Sequence, residues 1–330
     1  MSRSITVGEP ASQALFEEVA DAWRSLGRSL LSPRRVEVIE RHHGEPQVCG
    51  LSACAPGGND VVAKRCSPAA VEPLLYEHVL AAIPGFAPRF HGVARGVEEA
   101  RRWLFIEHVR GDEYVPDTTE HRSLAARWLG AVHSTTSSMP LSRLLPERGP
   151  THYHSLLQRG HQAILKALSG SRIDANGRSR LTAAAERCAS LERQWEVLEA
   201  PLEAIRPGLV HGDLVSKNIR IRRSDGGAEF IAFDWETAGW GVPVADLAVF
   251  SKEGRWRELP WVVDDRKVIG GSDGDLVQRI AMIGRIFRLI ASVDWEGRGA
   301  CSSWPHRSVR RIAWYDRKLS DCMRALSMEV

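Results

Sequence analysis

The side chains able to do chemistry concentrate between residues 209 and 236. Leu209 and Val210 lead into a polar loop carrying His211, Asp213 and Asn218. A short strand with Ile219 and Ile221 follows, then a turn at Ser224–Gly227, then a second strand with Phe230, Ile231 and Phe233 that delivers Asp234 and Glu236. A hairpin brings both of its ends to one edge, so Asp213, Asn218 and Asp234 are expected to meet in a small volume although they lie far apart along the chain. Two carboxylates and an amide are hard oxygen donors, the set that suits Mg²⁺ and a phosphate-bearing substrate. Mg²⁺ takes one or two carboxylates and leaves its other positions to water and phosphate, so one acid of the set remains to act as a base.

The run His211-Gly-Asp-Leu-Val-Ser-Lys-Asn218, followed by Phe233-Asp-Trp-Glu236, resembles the catalytic loop and metal-binding segment of the aminoglycoside phosphotransferase and choline kinase family. That resemblance implies an α+β, two-lobed protein-kinase-like fold, with a small antiparallel β-sheet lobe carrying a helix and a large, mostly helical lobe. It implies that Asp213 accepts or orients the acceptor hydroxyl, and that Asn218 and Asp234 hold Mg²⁺ against the phosphates of ATP or GTP. His211 is expected to anchor the loop and Glu236 to lie behind the metal ligands. The acceptor implied is a small hydroxylated molecule.

Those residues need elements to position them, and the chain offers them in the family's order. Leu15, Phe16, Val19, Trp23 and Leu26 recur at helical spacing within 11–31, a leading amphipathic helix. Strand character follows at Val36–Glu40, Val48–Cys54 and Val61–Lys64, the last after the turn Ala55–Asp60. The loop Arg41–Gln47 has one glycine where protein kinases have several, which departs from their phosphate-covering pattern. Lys64 matches the family's strand lysine, which reaches the nucleotide phosphates and pairs with a glutamate of the next helix. Glu72 and Glu77 are both available there; Glu77 sits further inside the helix, since Pro73 belongs in its first turn, but Glu72 has the family-like distance to Pro88 and is the expected partner. The apolar run Trp103–Glu107 enters a Gly-ended linker that resembles the family hinge, so backbone groups of Glu107, His108 and Val109 are expected to meet the adenine. The division is placed at 1–108 for the nucleotide lobe and 109–330 for the catalytic and acceptor lobe. In the second part, His121–Ser134 has one apolar face and Leu129–His133 resembles a family helix motif, with His133 expected to be structural. Further helices are expected at about 152–168, 180–199, 275–293 and 308–326. Asp246 matches the residue that anchors the catalytic loop in related folds. Only a short segment separates it from Asp234, which leaves no room for the long activation segment and peptide platform of a protein kinase.

Composition bounds the partners. The 330 residues carry a net charge of +3, with 43% apolar and 26% charged residues, values of an ordinary soluble protein. The interleaved charges give no footprint for nucleic acid or an anionic membrane. No apolar run reaches the roughly 18 residues of a membrane span, since Ile280–Val293 is broken by Arg285 and Arg288. The N-terminus lacks a signal-peptide core and the six cysteines form no paired motif, so a cytoplasmic protein with reduced thiols is expected, as monomer or homodimer. Acids at Asp112, Glu113, Asp117, Glu120, Asp264, Asp265, Asp273 and Asp275, and the rings of Trp240 and Trp261, are candidates for the acceptor pocket. An antibiotic or related natural product is the first expectation for the acceptor. A choline-like alcohol, homoserine or a sugar is the second, and a nucleotide-binding pseudokinase the third.

Overall fold

A computed structural model describes residues 9–27, 31–42, 45–83, 85–95, 102–170, 173–203, 205–250, 274–301 and 305–330. The chain forms two compact units, one of residues 1–114 and 217–236, the other of 115–216 and 237–330. The hairpin 217–236, which the sequence reading assigned to the second lobe, thus packs with the N-terminal unit.

The first unit is built on a six-stranded antiparallel sheet. Its strands are β1 (Glu9–Pro10), β2 (Val36–His42), β3 (Glu45–Ala55), β4 (Asn59–Cys66), β5 (Phe90–Arg95) and β6 (Arg102–Glu107), in the order β1-β2-β3-β4-β6-β5. Alternation along β4 sends Val61 and Ala63 to one face and Lys64 to the other. The first face is covered by helix α1 (Gln13–Ser25), whose Leu15, Val19 and Trp23 pack with Val61, Ala63, Trp103 and Phe105. Ser12 caps this helix by accepting from Leu15 N–H. Glu18 ties it to the sheet through Arg65 at 3.1 Å and the Trp103 indole at 2.9 Å. The helix is shorter than the expected 11–31. The face bearing Lys64 is left to helix α2 (Val71–His78).

A three-stranded sheet completes this unit. Strand β7 (Asp112–Glu113) pairs with β9 (Ile219–Ser224), which pairs in turn with β10 (Gly227–Ala232). Gly111 permits the first of these contacts, because a Cβ there would lie 2.4 Å from the Ile221 carbonyl oxygen. The pairing of Ala232 with Ile219 closes the hairpin so that Asn218 and Phe233 face each other, with Phe233 N–H donating to Asn218 C=O at 3.0 Å.

The second unit is mainly helical: α3 (Thr119–Thr136), α4 (Pro150–Ser169), α5 (Ala175–Arg193), the short α6 (Trp195–Glu199), α7 (Gly274–Ala300) and α8 (His306–Ala325). One small ribbon interrupts it, β8 (Gly208–Val210) against β11 (Gly239–Gly241). Helix α7 runs longer than the expected 275–293 and packs on α4, α8 and the 3-10 segment Pro243–Phe250. Its register is fixed by Phe287, stacked between Tyr153 and Trp195 with ring centroids 4.4 and 5.7 Å away. Gly284 lets it come close, since a Cβ there would collide with the Val244 carbonyl. No described helix is long and apolar enough to cross a membrane.

Candidate active site

In the first unit the geometry centres on Lys64. Its ammonium lies 2.7 Å from Glu72 Oε2, 2.5 Å from Asp234 Oδ1 and 3.3 Å from Glu236 Oε2. Burial opposes the charge on Lys64, but the three carboxylates outweigh it and hold the ammonium above the usual lysine range. Glu72 is 1% exposed, and its burial pushes the carboxyl upward against the pull of Lys64. The other oxygen of Glu72 accepts from Trp235 N–H at 3.0 Å. One buried glutamate therefore joins the strand lysine to the residue after Asp234. Glu77, the alternative, is exposed beside His78.

Asp234 sits in the left-handed region at φ +68°, an uncommon conformation for a residue other than glycine and one that concentrates at functional sites. The hairpin closure described above puts Asn218, buried at the end of a 3-10 turn (Ser216–Asn218), at the same end as Asp234. Among the described residues no group of three His, Cys, Asp or Glu side chains is arranged to hold a metal by itself. One carboxylate and one amide fit an ion whose remaining positions are filled by water and phosphate, as Mg²⁺ requires.

Glu107 ends β6, and its backbone N–H donates to Arg89 C=O at 2.8 Å. Its carboxylate accepts from Arg222 of the hairpin at 2.7 Å and from Arg89 N–H at 3.1 Å. His108 N–H donates to Asp60 C=O at 3.1 Å, and the Asp60 side chain holds Ala53 N–H at 3.0 Å and the Arg110 guanidinium at 2.5 Å. Asp60 thus steadies the segment after β6 through both its carbonyl and its carboxylate, a role that sequence reading missed because no local pattern links it to His108 and Arg110. Val109 is buried.

Asp213 belongs to the second unit, on the loop after β8. This loop is clamped at its base by Asp246, which accepts from His211 N–H at 2.7 Å and from Gly212 N–H at 2.9 Å. Asp246 is fully buried, and desolvation raises its carboxyl to about 6 in spite of both hydrogen bonds. Gly212 takes φ +79°, and a Cβ on it would lie 2.8 Å from Thr237 C=O. The Thr237 hydroxyl donates to His211 C=O at 3.0 Å, and Arg148 donates to Thr237 C=O at 2.8 Å. His211 accepts from Asp213 N–H at 3.3 Å through Nδ1, the loop-anchoring use of its ring. The carboxylate of Asp213 receives the guanidinium of Arg288 from α7, which also donates to Gly212 C=O at 2.6 Å. Arg288 was missed as a site residue; the one signal available was that it and Arg285 interrupt an otherwise apolar stretch.

Of the other sequence candidates, Trp240 lies half-buried in β11, and Asp112 pairs with Arg223 at 3.4 Å on the first unit's surface. Trp261, Asp264, Asp265 and Asp273 lie outside the described residues, as do part of the Arg41–Gln47 loop and the side chain of Asp275.

A six-stranded sheet with a buried Lys–Glu pair, a hairpin ending in Asn218 and Asp234, and a helical unit carrying Asp213 define a protein-kinase-like phosphotransferase. Residues 55–270 match the phosphotransferase enzyme family, and the chain belongs to that family as a small-molecule kinase. Solved structures share the fold at low sequence identity. A spectinomycin phosphotransferase in complex with ADP and spectinomycin is 8% identical, with 94% of this chain and 98% of that one covered at a TM-score of 0.61. The choline kinase of Cryptosporidium parvum Iowa II is 12% identical, with coverage of 96% and 97% and a TM-score of 0.58. A microcompartment-associated aminopropanol kinase is 15% identical, with coverage of 96% and 98% and a TM-score of 0.60. No curated protein matches the sequence.

Proposed function

We propose that the protein transfers the γ-phosphoryl group of a nucleoside triphosphate to a hydroxyl of a small molecule. An antibiotic or related natural product is the acceptor class ranked first. The observation that carries this reading is the Lys64–Glu72–Asp234 network, with Asn218 at the same hairpin end. It is a cation and a hard-oxygen donor pair arranged for phosphate. Lys64 would neutralise charge on the phosphates of the nucleotide. Asn218 and Asp234 would hold Mg²⁺, whose chemistry is to neutralise the phosphate oxygens as charge shifts toward the leaving group. In the hinge, the amides of Glu107 and His108 are engaged within the unit, so the donor to adenine passes to Val109.

Asp213 would receive the acceptor hydroxyl and align its oxygen with the γ-phosphorus. The new O–P bond forms as the bond to the nucleoside diphosphate breaks, and the hydroxyl proton leaves to the carboxylate. Because the transition state of such transfers is loose, alignment and charge neutralisation supply most of the acceleration. A metabolic alcohol is the second reading, favoured by the likeness to choline and aminopropanol kinases.

The test is transfer of label from γ-labelled ATP and GTP to a panel of hydroxylated antibiotics, amino alcohols and sugars, with the product identified by phosphorus NMR. The Asp213→Ala variant is expected to lower turnover roughly 10²–10⁴-fold, the range of a positioned acid–base group, while nucleotide binding persists. Near-wild-type turnover in that variant would remove Asp213 from its role. Tight nucleotide binding without transfer to any acceptor would favour a pseudokinase.

A further inference from the structure

Helix α7 is separated from the catalytic loop by a long stretch of chain, yet it is built to reach it. Gly284 and Arg288 are one helical turn apart and so lie on the same face. Gly284 has no side chain because the Val244 carbonyl occupies that space, and this close approach brings α7 against the segment that holds Asp246. Arg288, one turn further on, spans from Gly212 C=O to the Asp213 carboxylate. The neighbouring Phe287 is locked between Tyr153 and Trp195, so the guanidinium is presented from a helix that cannot easily rotate. The two charged side chains are only 16% and 22% exposed, so water screens the pair weakly.

Resting on the phosphotransferase reading above, we infer that Arg288 is a positioning residue for the reaction. It fixes the direction of the Asp213 carboxylate by holding its Oδ1. The clamp works from two sides. Asp246 holds the loop by its amides, and Arg288 holds it by the next carbonyl and by the side chain that does the chemistry. A planar guanidinium with two donors suits this because it sets direction as well as charge, which a lysine ammonium does less well.

The experiment measures release of inorganic phosphate from γ-labelled MgATP with water as the acceptor, so no identified substrate is needed. Wild type is compared with Arg288→Ala, Arg288→Lys, Asp213→Ala and the Asp213→Ala/Arg288→Ala double variant. Arg288→Ala is expected to lower kcat about 100-fold, the scale of a misaligned reacting group, with KM for MgATP unchanged. Arg288→Lys should recover part of the loss, and millimolar guanidinium chloride should restore part of the Arg288→Ala rate. The double variant should be no slower than Asp213→Ala, because the arginine acts through that aspartate. Arg288→Ala turning over at the wild-type rate while Asp213→Ala is slow would overturn the inference and leave the phosphotransferase reading intact. A loss that neither lysine nor guanidinium relieves, and that adds to the Asp213 defect, would also overturn it, since that is what general damage to the fold produces. Equal rates for wild type and Asp213→Ala would remove Asp213 from the role on which the inference rests, and so overturn the inference.

Discussion

At the scale of single residues, the buried ion pair of Lys64 and Glu72 is structural first, and in the proposed reaction it would also present the cation to the nucleotide. Glu72 is buried with its two oxygens assigned to different segments, the Lys64 ammonium and the Trp235 amide. Removing one partner of such a pair leaves a charge with neither water nor counter-ion, which costs far more than the pair itself contributes. Lys64→Met should therefore destabilise the protein by about 3 kcal/mol in urea unfolding. Lys64→Met/Glu72→Gln should recover much of that loss, because the introduced amide would keep an oxygen for Trp235 N–H and carry no charge. A double variant as unstable as Lys64→Met alone would show that lost packing of the lysine stem, and not the stranded carboxylate, sets the cost. The distance to Pro88 pointed to Glu72 and the place of Pro73 to Glu77, and the structure pairs Lys64 with Glu72. Glu72 lies in the first turn of α2 and is buried against β4, whereas Glu77 points to solvent. Arg288 could not be read in the same way, because its partner lies in a remote loop and no local pattern links the two.

Elements show the same division between local and remote signals. The hairpin β9–β10 was legible because alternating apolar residues and a Ser-Asp-Gly-Gly turn are local features, and its register delivers Asn218 and Asp234 as expected. The clamp by Asp246 was readable only through resemblance. The stitching of β7 onto β9 was not readable at all, since a two-residue strand beside a glycine has no periodicity. Helix α3 combines both kinds of signal. Its apolar face was plain, and it carries His133, which is 2% exposed, with Nε2 buried and without a hydrogen-bond partner among the described residues. Desolvation pushes the His133 imidazole down to about 4. A base depressed in the fold takes up its proton more readily in the unfolded chain, where its value is near 6.5. Its contribution to stability is therefore complete above about pH 6.5 and is lost as pH falls from there toward 4. His133→Leu should match or exceed wild type at pH 7.5, and at pH 5 the wild type should fall behind it by about 2 kcal/mol more. Buried Asp246, raised to about 6, acts in the opposite direction over the same window. The difference between the two proteins cancels that effect and isolates the histidine. A gap that does not change between pH 7.5 and 5 would mean that His133 titrates normally in the fold.

For the whole molecule, the order of elements was enough to place the chain in a protein-kinase-like class. The grouping of 217–236 with the N-terminal residues was not foreseen, because it depends on β7 and on the ion pair of Arg222 with Glu107. That grouping has a functional consequence. Lys64, Asn218 and Asp234 belong to one compact unit, so the groups proposed to hold nucleotide and metal are assembled by the folding of that unit. A ligand that binds only the native state stabilises it by RT ln(1 + [L]/Kd), about 2.7 kcal/mol at a hundredfold excess over Kd. ADP with MgCl2 should therefore raise the unfolding temperature by several degrees, and ADP with EDTA by clearly less. Asp234→Asn should abolish the difference between the two conditions while keeping the metal-independent part, because the amide keeps the side-chain shape and loses the charge that binds the cation. If the metal-dependent increment persists in that variant, or if EDTA makes no difference to the wild type, Asp234 is not a metal ligand.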